Sequence, residues 1–331
     1  MRFFLKHLKK TSAIKHTLAF FLIGPLLILL NSCTSHLKIQ KQTRFLMDTY
    51  VTIQIPGGVG QIPVIEKAFD RIETIDHKFN ALENNSALYA FNQDHIPVTD
   101  KEILDLVRIA MDIGSQTDGA FDITIFPLVK RWGFFDKTPS VPDNRDIKQL
   151  LKHVGLDKLT LTETQLSKSD MLTQIDLGGI AKGYAIKEAL EVIKEAGIQS
   201  ALIDAGGDIY ALGELYGEPW KVGIRDPRKE GVIGSFDISD LAVVTSGDYE
   251  RFFEENGVRY HHILDPVTGF PARGLISVTV IADDPVYADA LSTAIFVMGK
   301  EKGLDFLKKS KMAEAVLITD DNQIFTTKGL K

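Results

Sequence analysis

A single cysteine, Cys33, stands in the 331 residues. It cannot form an intrachain disulfide, and it excludes a cysteine-rich metal site. Prolines are few, 12 in all, and no internal repeat or low-complexity tract interrupts the chain. Positive charge is also scarce: 38 Lys and Arg face 44 Asp and Glu, a net charge of −6. That balance gives no support for a nucleic-acid surface, which needs a clustered basic face. The one extended apolar run, Thr17 to Leu30, is broken by Gly24 and Pro25 and is too short for a comfortable membrane span. The remaining composition, 44% hydrophobic and 25% charged, is that of an ordinary globular protein with a large core in one or two domains.

The N-terminus differs from the rest. Arg2, Lys6, Lys9, Lys10 and Lys15 precede the apolar run, the pattern of a secretory signal peptide. The run ends in "LLNSC", with Leu30 three residues before Cys33 and Ser32 one before it. This resembles the lipobox of bacterial lipoproteins, which implies that the Cys33 sulfur receives diacylglycerol and that Cys33 becomes the first mature residue. The expected organisation is a signal peptide over 1–32, a lipidated cysteine and polar tether over 33–42, and a folded domain over 43–331. The expected location is a bacterial membrane, on its periplasmic or other extracytoplasmic face. Membrane lipid would hold the chain through acyl groups, at roughly 0.8 kcal/mol per buried CH₂.

Beyond the tether, "YVTIQI" alternates as a strand and ends at a "PGG" turn. Val64 to Phe79 places Ile65, Ala68, Phe69, Ile72, Ile75 and Phe79 on one helical stripe. Lys101 onward is a second amphipathic helix, with Thr99 and Asp100 as candidate caps. "KLTLTETQLSKS" and "LTQIDLGG" read as paired strands, and Ile180–Ala196 as a helix closed by Gly197. "GSFDISDLAVVTSG" and "LISVTVIADD" read as strands, "VYADALSTAIFVMG" and "KEKGLDFLKKS" as helices, and the C-terminus as a hairpin. Helices mixed with hairpin-connected strands predict an α+β fold: one compact unit of mixed, largely antiparallel sheet packed with helices.

"DLGGIAKGYA", Asp176 to Ala185, puts glycines and a lysine at the start of a helix, where backbone N–H groups and the helix dipole favour a phosphate. It is no Walker loop, because Tyr184 stands where that motif needs lysine. It is no dinucleotide fingerprint either, because "GGIAKG" lacks the G-x-G-x-x-G spacing. "DALSTA" sets Asp289 and Thr293 four apart, on one helical face. A carboxylate and a hydroxyl are hard oxygen donors, suited to Mg²⁺ rather than zinc. "YHHILDPVTGFPARG" carries two adjacent histidines at a strand end. Strand alternation lets only one of them face a site.

In order along the chain, "MDT", "SALYAFN", "TDGAFDIT", "IDLGGIAKGYA", "ALIDAGGDI", "WKVGIRDP", "VVTSGDYERFF", "YHHILDPVTG" and "DALSTA" together resemble the FAD:protein FMN transferase (ApbE-type flavin transferase) family, over nearly the whole mature chain. The resemblance implies an ApbE-like fold, related to T-folds. It also implies Mg²⁺-dependent transfer of FMN from FAD to a threonine or serine hydroxyl of an acceptor protein, a membrane redox subunit, with release of AMP. By motif, Met47, Phe79, Ala120, Phe121, Asp122, Asp176, Lys182 and Ile263 resemble the positions that contact FAD. Gly179, through its carbonyl, and Asp289 and Thr293 resemble the metal ligands, with the Ser292 carbonyl close by. His262 resembles the catalytic histidine, and a base is needed because a hydroxyl is a poor nucleophile at neutral pH. His261 is the alternative base. Phe79 stands where many members carry tyrosine. Two other outcomes fit the same residues: a Mg²⁺-dependent FAD pyrophosphatase, with water as acceptor, and a flavin-binding lipoprotein without catalysis.

Overall fold

In the computed structural model, residues 38–135 and 138–330 are described. Cys33 and the expected signal peptide lie outside the described residues. The chain opens with β1 (Ile39–Leu46) and β2 (Thr49–Pro56), then α1 (Ile62–Phe79), the single turn α2 (Ala87–Tyr89), α3 (Lys101–Gln116), α4 (Phe126–Trp132) and α5 (Asn144–Leu150). A small hairpin, β3 (Leu159–Leu161) and β4 (Leu166–Lys168), leads to α6 (Ala181–Glu195). Strands β5 (Ala201–Ala205), β6 (Asp208–Leu212), β7 (Trp220–Arg225), β8 (Val232–Ile238), β9 (Leu241–Gly247), β10 (Phe252–Glu255), β11 (Val258–His261) and β12 (Leu275–Ala282) follow. The chain ends with α7 (Pro285–Ser310), β13 (Glu314–Thr319) and β14 (Ile324–Thr326).

An eight-stranded sheet in the order β1-β2-β5-β6-β9-β12-β13-β14 organises these elements, and its neighbours all pair antiparallel. Alternation along the strands sorts side chains to two faces. On β5, Ala201, Ile203 and Ala205 join the main core while Leu202 points into a second cluster; on β9, Ala242 and Val244 part from Val243 in the same way. Helices α1, α6 and α7 supply the main core, and the β7–β8 hairpin covers the opposite face through Trp220, Val222 and Ile238. Covered on both sides, β12 is buried at all eight positions. The described residues form one compact unit, the α+β architecture expected.

The α1 stripe is as the 3.6-residue period predicts: Ile65, Ala68, Phe69, Ile72, Ile75 and Phe79 are its buried residues. Asp100 caps α3 by accepting from the Glu102 and Ile103 N–H groups. The two helices expected near the C-terminus form one run, α7, broken at Gly299, where φ is 75°.

Three segments differ from expectation. Residues 39–42, expected as tether, belong to β1, paired with β2 from Ile39↔Pro56 onward. This edge strand is polar and half-exposed, held by its ladder rather than by burial, so its composition hides it. "LTQIDLGG" is not a strand: the β3–β4 pairing falls within "KLTLTETQLSKS", and the later segment has one bridge, Ile125↔Gln174. The buried Asn92 side chain takes the place of a partner strand, donating to Ile175 O and accepting from Ile175 N–H, both at 2.8 Å. "GSFDISDLAVVTSG" is two strands, β8 and β9, in different sheets, separated at Asp240, where φ is 55°.

Candidate active site

A cavity of about 810 Å³ opens where the C-terminal end of α1, the loop before α6, the start of β6, the end of β11 and the first turns of α7 converge. The loop is anchored by Leu177 and Ile180, both fully buried. The Asp176 N–H donates to Ile123 O at 2.8 Å, and its carboxylate accepts from Gly178 N–H at 3.1 Å. Gly178 and Gly179 thereby present their backbone to the cavity. Helix α6 has no side-chain cap of its own. Instead the Gly183 N–H donates across to Asp289 Oδ2 on α7, at 2.8 Å, so a carboxylate from another helix satisfies an open N–H of its first turn. Glycine at 183 makes that approach sterically open: a Cβ there would stand 2.2 Å from Pro285 O.

The two expected halves of the site meet. A Cβ on Gly179 would lie 3.7 Å from Thr293 Oγ1, although these residues come from distant segments. Lys182 forms an ion pair with Asp208 and stands 3.5 Å from Asp289 Oδ1. Both carboxylates are 3% exposed. Burial pulls the Lys182 ammonium down, but Asp208 and Asp289 outweigh it, and its pKa ends above the ordinary lysine value. Burial and the neighbouring Asp289 push the Asp208 carboxyl up, against the pull of Lys182. Two buried carboxyl groups thus share one ammonium.

His262 lines the cavity and His261 does not. The His262 ring stacks edge-on against Phe134, and its Nδ1 lies 3.3 Å from Arg251 O. With Nδ1–H donated there, Nε2 is left as the acceptor. Burial, and then the adjacent Arg251 charge, push the His262 pKa down to about 3, so the ring is neutral at physiological pH. His261 is 2% exposed, places Nε2 2.9 Å from Ala272 O and packs edge-on against Phe296. Alternation therefore assigns one histidine to the cavity and the other to the core.

Met47, Phe79, Ala120, Phe121, Asp122, Asp176, Lys182 and Ile263 all line the cavity, as do Gly179, Asp289 and Thr293. Met47 sits in a left-handed turn, φ 53°, with its N–H held by Asp76 at 2.7 Å. Phe79 packs on Tyr184, ring centroids 5.5 Å apart. Asp122 accepts from the Thr124 N–H and hydroxyl, at 2.7 and 2.6 Å, and burial pushes its carboxyl up. Ser292 does not line the cavity. It is fully buried behind it, its hydroxyl donating to Asp289 O and bonded to Ser246 Oγ at 2.7 Å. Asp76, Asp208, Ser246 and Arg251 are lining residues that sequence reasoning did not single out. Asp208 and Arg251 lay within quoted motifs, and their proximity to Lys182 and His262 is visible only in the fold.

Among the described residues, no group of three or more His, Cys, Asp or Glu side chains could hold a metal ion. A cation here would need the hydroxyl and backbone oxygens as well.

A model of the ApbE family matches residues 47–317. The FAD:protein FMN transferase of Treponema pallidum is 36% identical over 290 residues, covering 80% of each chain. That of Haemophilus influenzae is 34% identical over 283 residues, covering 79% of this chain and 81% of its own. The crystal structure of the ApbE protein of Thermotoga maritima superposes with a TM-score of 0.83 at 36% identity, over 88% of this chain and 98% of that one. The flavin transferase ApbE of Vibrio cholerae gives 0.79 at 28% identity, with the same coverage. The matched span runs from the Met47 turn past the Asp289–Thr293 face, so it takes in every residue that lines the cavity except Phe45, and the chain belongs to the ApbE family.

Proposed function

We propose that this chain is a Mg²⁺-dependent FAD:protein FMN transferase, moving FMN from FAD to a threonine or serine hydroxyl of an acceptor protein and releasing AMP. The observation that carries the reading is the convergence on one cavity of a neutral histidine, a charged lysine and the Asp289–Thr293 oxygen pair beside the glycine loop. Family membership and the relatives' named activity point the same way. The donor set fits a hard divalent cation, because two carboxylates share one ammonium and the nearby oxygens are carboxylate, hydroxyl and carbonyl. Asp289, Thr293 and the Gly179 carbonyl would hold Mg²⁺, which would supply positive charge for the pyrophosphate and the leaving oxygen. Ser292 braces the turn that carries these ligands.

The chain's own groups perform the rest. Nε2 of His262 accepts the proton of the acceptor hydroxyl as its oxygen bonds to the FMN-side phosphorus. The bond from that phosphorus to the AMP oxygen breaks, and AMP departs with the electron pair. Lys182 places a fixed positive charge beside the metal ligand Asp289. The pyrophosphate brings negative charge near His262, which favours the imidazolium and raises the ring's basicity when substrate is bound. Protein anchorage through Cys33 on the extracytoplasmic face of a bacterial membrane, near a membrane redox subunit as acceptor, completes the reading.

The test is incubation of the purified protein with FAD, Mg²⁺ and a fragment of a membrane redox subunit, followed by intact-mass measurement of the fragment. A gain of FMN less water, abolished when the fragment's target threonine or serine becomes alanine, is expected. Release of FMN and AMP with an unmodified fragment would assign the pyrophosphatase reaction instead. Cys33→Ala should move the protein from the membrane fraction to the soluble one, or leave the signal peptide uncleaved.

A further inference from the structure

Seven carboxylates line the cavity against two cationic side chains, Lys182 and Arg251, among the described residues. A pyrophosphate ester entering so acidic a site needs positive charge from the protein as well as from any metal. Lys182 is already shared between Asp208 and Asp289. Arg251 is not committed in this way. Among the described residues its only ion pair is with Asp48 at 3.4 Å, and the side chains are 42% and 71% exposed, so the pair is loose and solvated. The Arg251 backbone is fixed, because its carbonyl accepts from the His262 N–H at 3.0 Å and faces His262 Nδ1 at 3.3 Å. One residue therefore carries both a loosely paired guanidinium at the cavity wall and the main-chain oxygen that orients the proposed base.

We infer that Arg251 is the phosphate anchor of the FMN half of the substrate, its guanidinium exchanging Asp48 for non-bridging phosphate oxygens while its carbonyl holds His262 beside the same phosphorus. The inference rests on the FAD reading above and adds to it a residue that positions phosphate and base together. A planar fork suits this role, because two parallel N–H donors fix a phosphate in orientation as well as in place. The charges around the group agree: Arg251 favours the charged form of Asp176 and opposes that of His262, so its positive field reaches both walls. A phosphate on Arg251 cancels that field at His262, where Lys182 is a further positive influence. Substrate binding thereby removes one of the charges that hold the base unprotonated.

The test compares FMN with riboflavin, which has the same ring system without the phosphate. Each is titrated into the full-length protein, without added metal, by quenching of flavin fluorescence. The wild type should prefer FMN. In Arg251→Met that preference should fall by roughly tenfold to a hundredfold, the loss of a charge-assisted phosphate contact, while riboflavin affinity holds. Arg251→Lys should keep part of the preference, and Asp48→Asn should tighten FMN by removing the competing carboxylate. An undiminished preference in Arg251→Met, or an equal loss for both flavins, would overturn the inference. FMN weakened in Asp48→Asn would overturn the exchange with Asp48. A wild-type protein that binds neither FAD nor FMN would overturn the FAD reading itself, and the anchor with it.

Discussion

Gly183→Ala tests how closely two helices must approach for the site to exist. In an unconstrained helix the change should stabilise by up to about 1 kcal/mol, because alanine is the better helix former. Here the added Cβ meets Pro285 O at 2.2 Å, Pro285 C at 2.8 Å and Asp289 Cβ at 2.9 Å. An ordinary carbon-to-carbonyl contact is about 3.3 Å or longer, so α6 and α7 must part by about 1 Å. The obstacle is the backbone of Pro285, next to the Asp284 cap of α7, and no flexible side chain can yield. Overpacking of this kind costs about 1–3 kcal/mol. The same movement stretches the 2.8 Å bond from Gly183 N–H to Asp289, a contact to a charged acceptor worth about 1.5–3 kcal/mol. With the propensity gain subtracted, the net loss is about 1.5–5 kcal/mol, a large part of a typical stability. Asp289 is displaced from Gly179 and Thr293 at the same time, and misplacement by about 1 Å can cost 10²-fold in rate. Urea denaturation gives the first quantity, and AMP release from FAD at saturating metal gives the second. Wild-type stability together with wild-type AMP release would refute the reasoning, because α6 would then have room that the structure denies it.

His262→Ala should lower FMN transfer by about 10²- to 10⁴-fold with little change in FAD affinity, while His261→Ala should cost mainly stability; stopped assays and thermal melts separate the two. Stability should also fall in acid. His261, 2% exposed, is held down to about 4 by burial, so the unfolded chain binds a proton that the folded chain refuses between pH 6.5 and about 4. That contribution is complete above pH 6.5 and shrinks as pH falls, by roughly 3 kcal/mol across the window, and His261→Gln should flatten the slope of denaturation midpoint against pH. Asp289→Asn keeps an oxygen for the Gly183 N–H but loses charge, so AMP release should fail at ordinary Mg²⁺ and recover in part at high Mg²⁺ or Mn²⁺. If added metal changes nothing, Asp289 is not a metal ligand.

Local periodicity made much of this molecule readable. The six apolar positions of α1 and the two halves of α7 follow from spacing, because a helix needs only one buried stripe to declare itself. Alternation likewise predicted that a single histidine of the pair would face the cavity. Strand β1 was illegible for the opposite reason: Gln40, Gln42 and Arg44 satisfy a backbone ladder, which leaves no signature in hydrophobicity. Ile175 lies in a segment that reads as a strand and is fully buried, but a side-chain amide from Asn92, 83 residues earlier, takes the place of a partner strand. In the site, the motif residues were legible as a set. The ion pair of Lys182 with Asp208 and the grip of Arg251 on His262 were not, because the packing of α6 on β6 and the register of the β10–β11 hairpin create them.

The central claim is that a protein hydroxyl, not water, receives the FMN group. Its most direct measurement is a product count in one reaction: AMP released, FMN free in solution and flavin covalently bound to the acceptor fragment. The account predicts one bound flavin for each AMP, with negligible free FMN, and a parallel fall of AMP and bound flavin in His262→Ala. AMP matched by free FMN in the presence of saturating acceptor would contradict it.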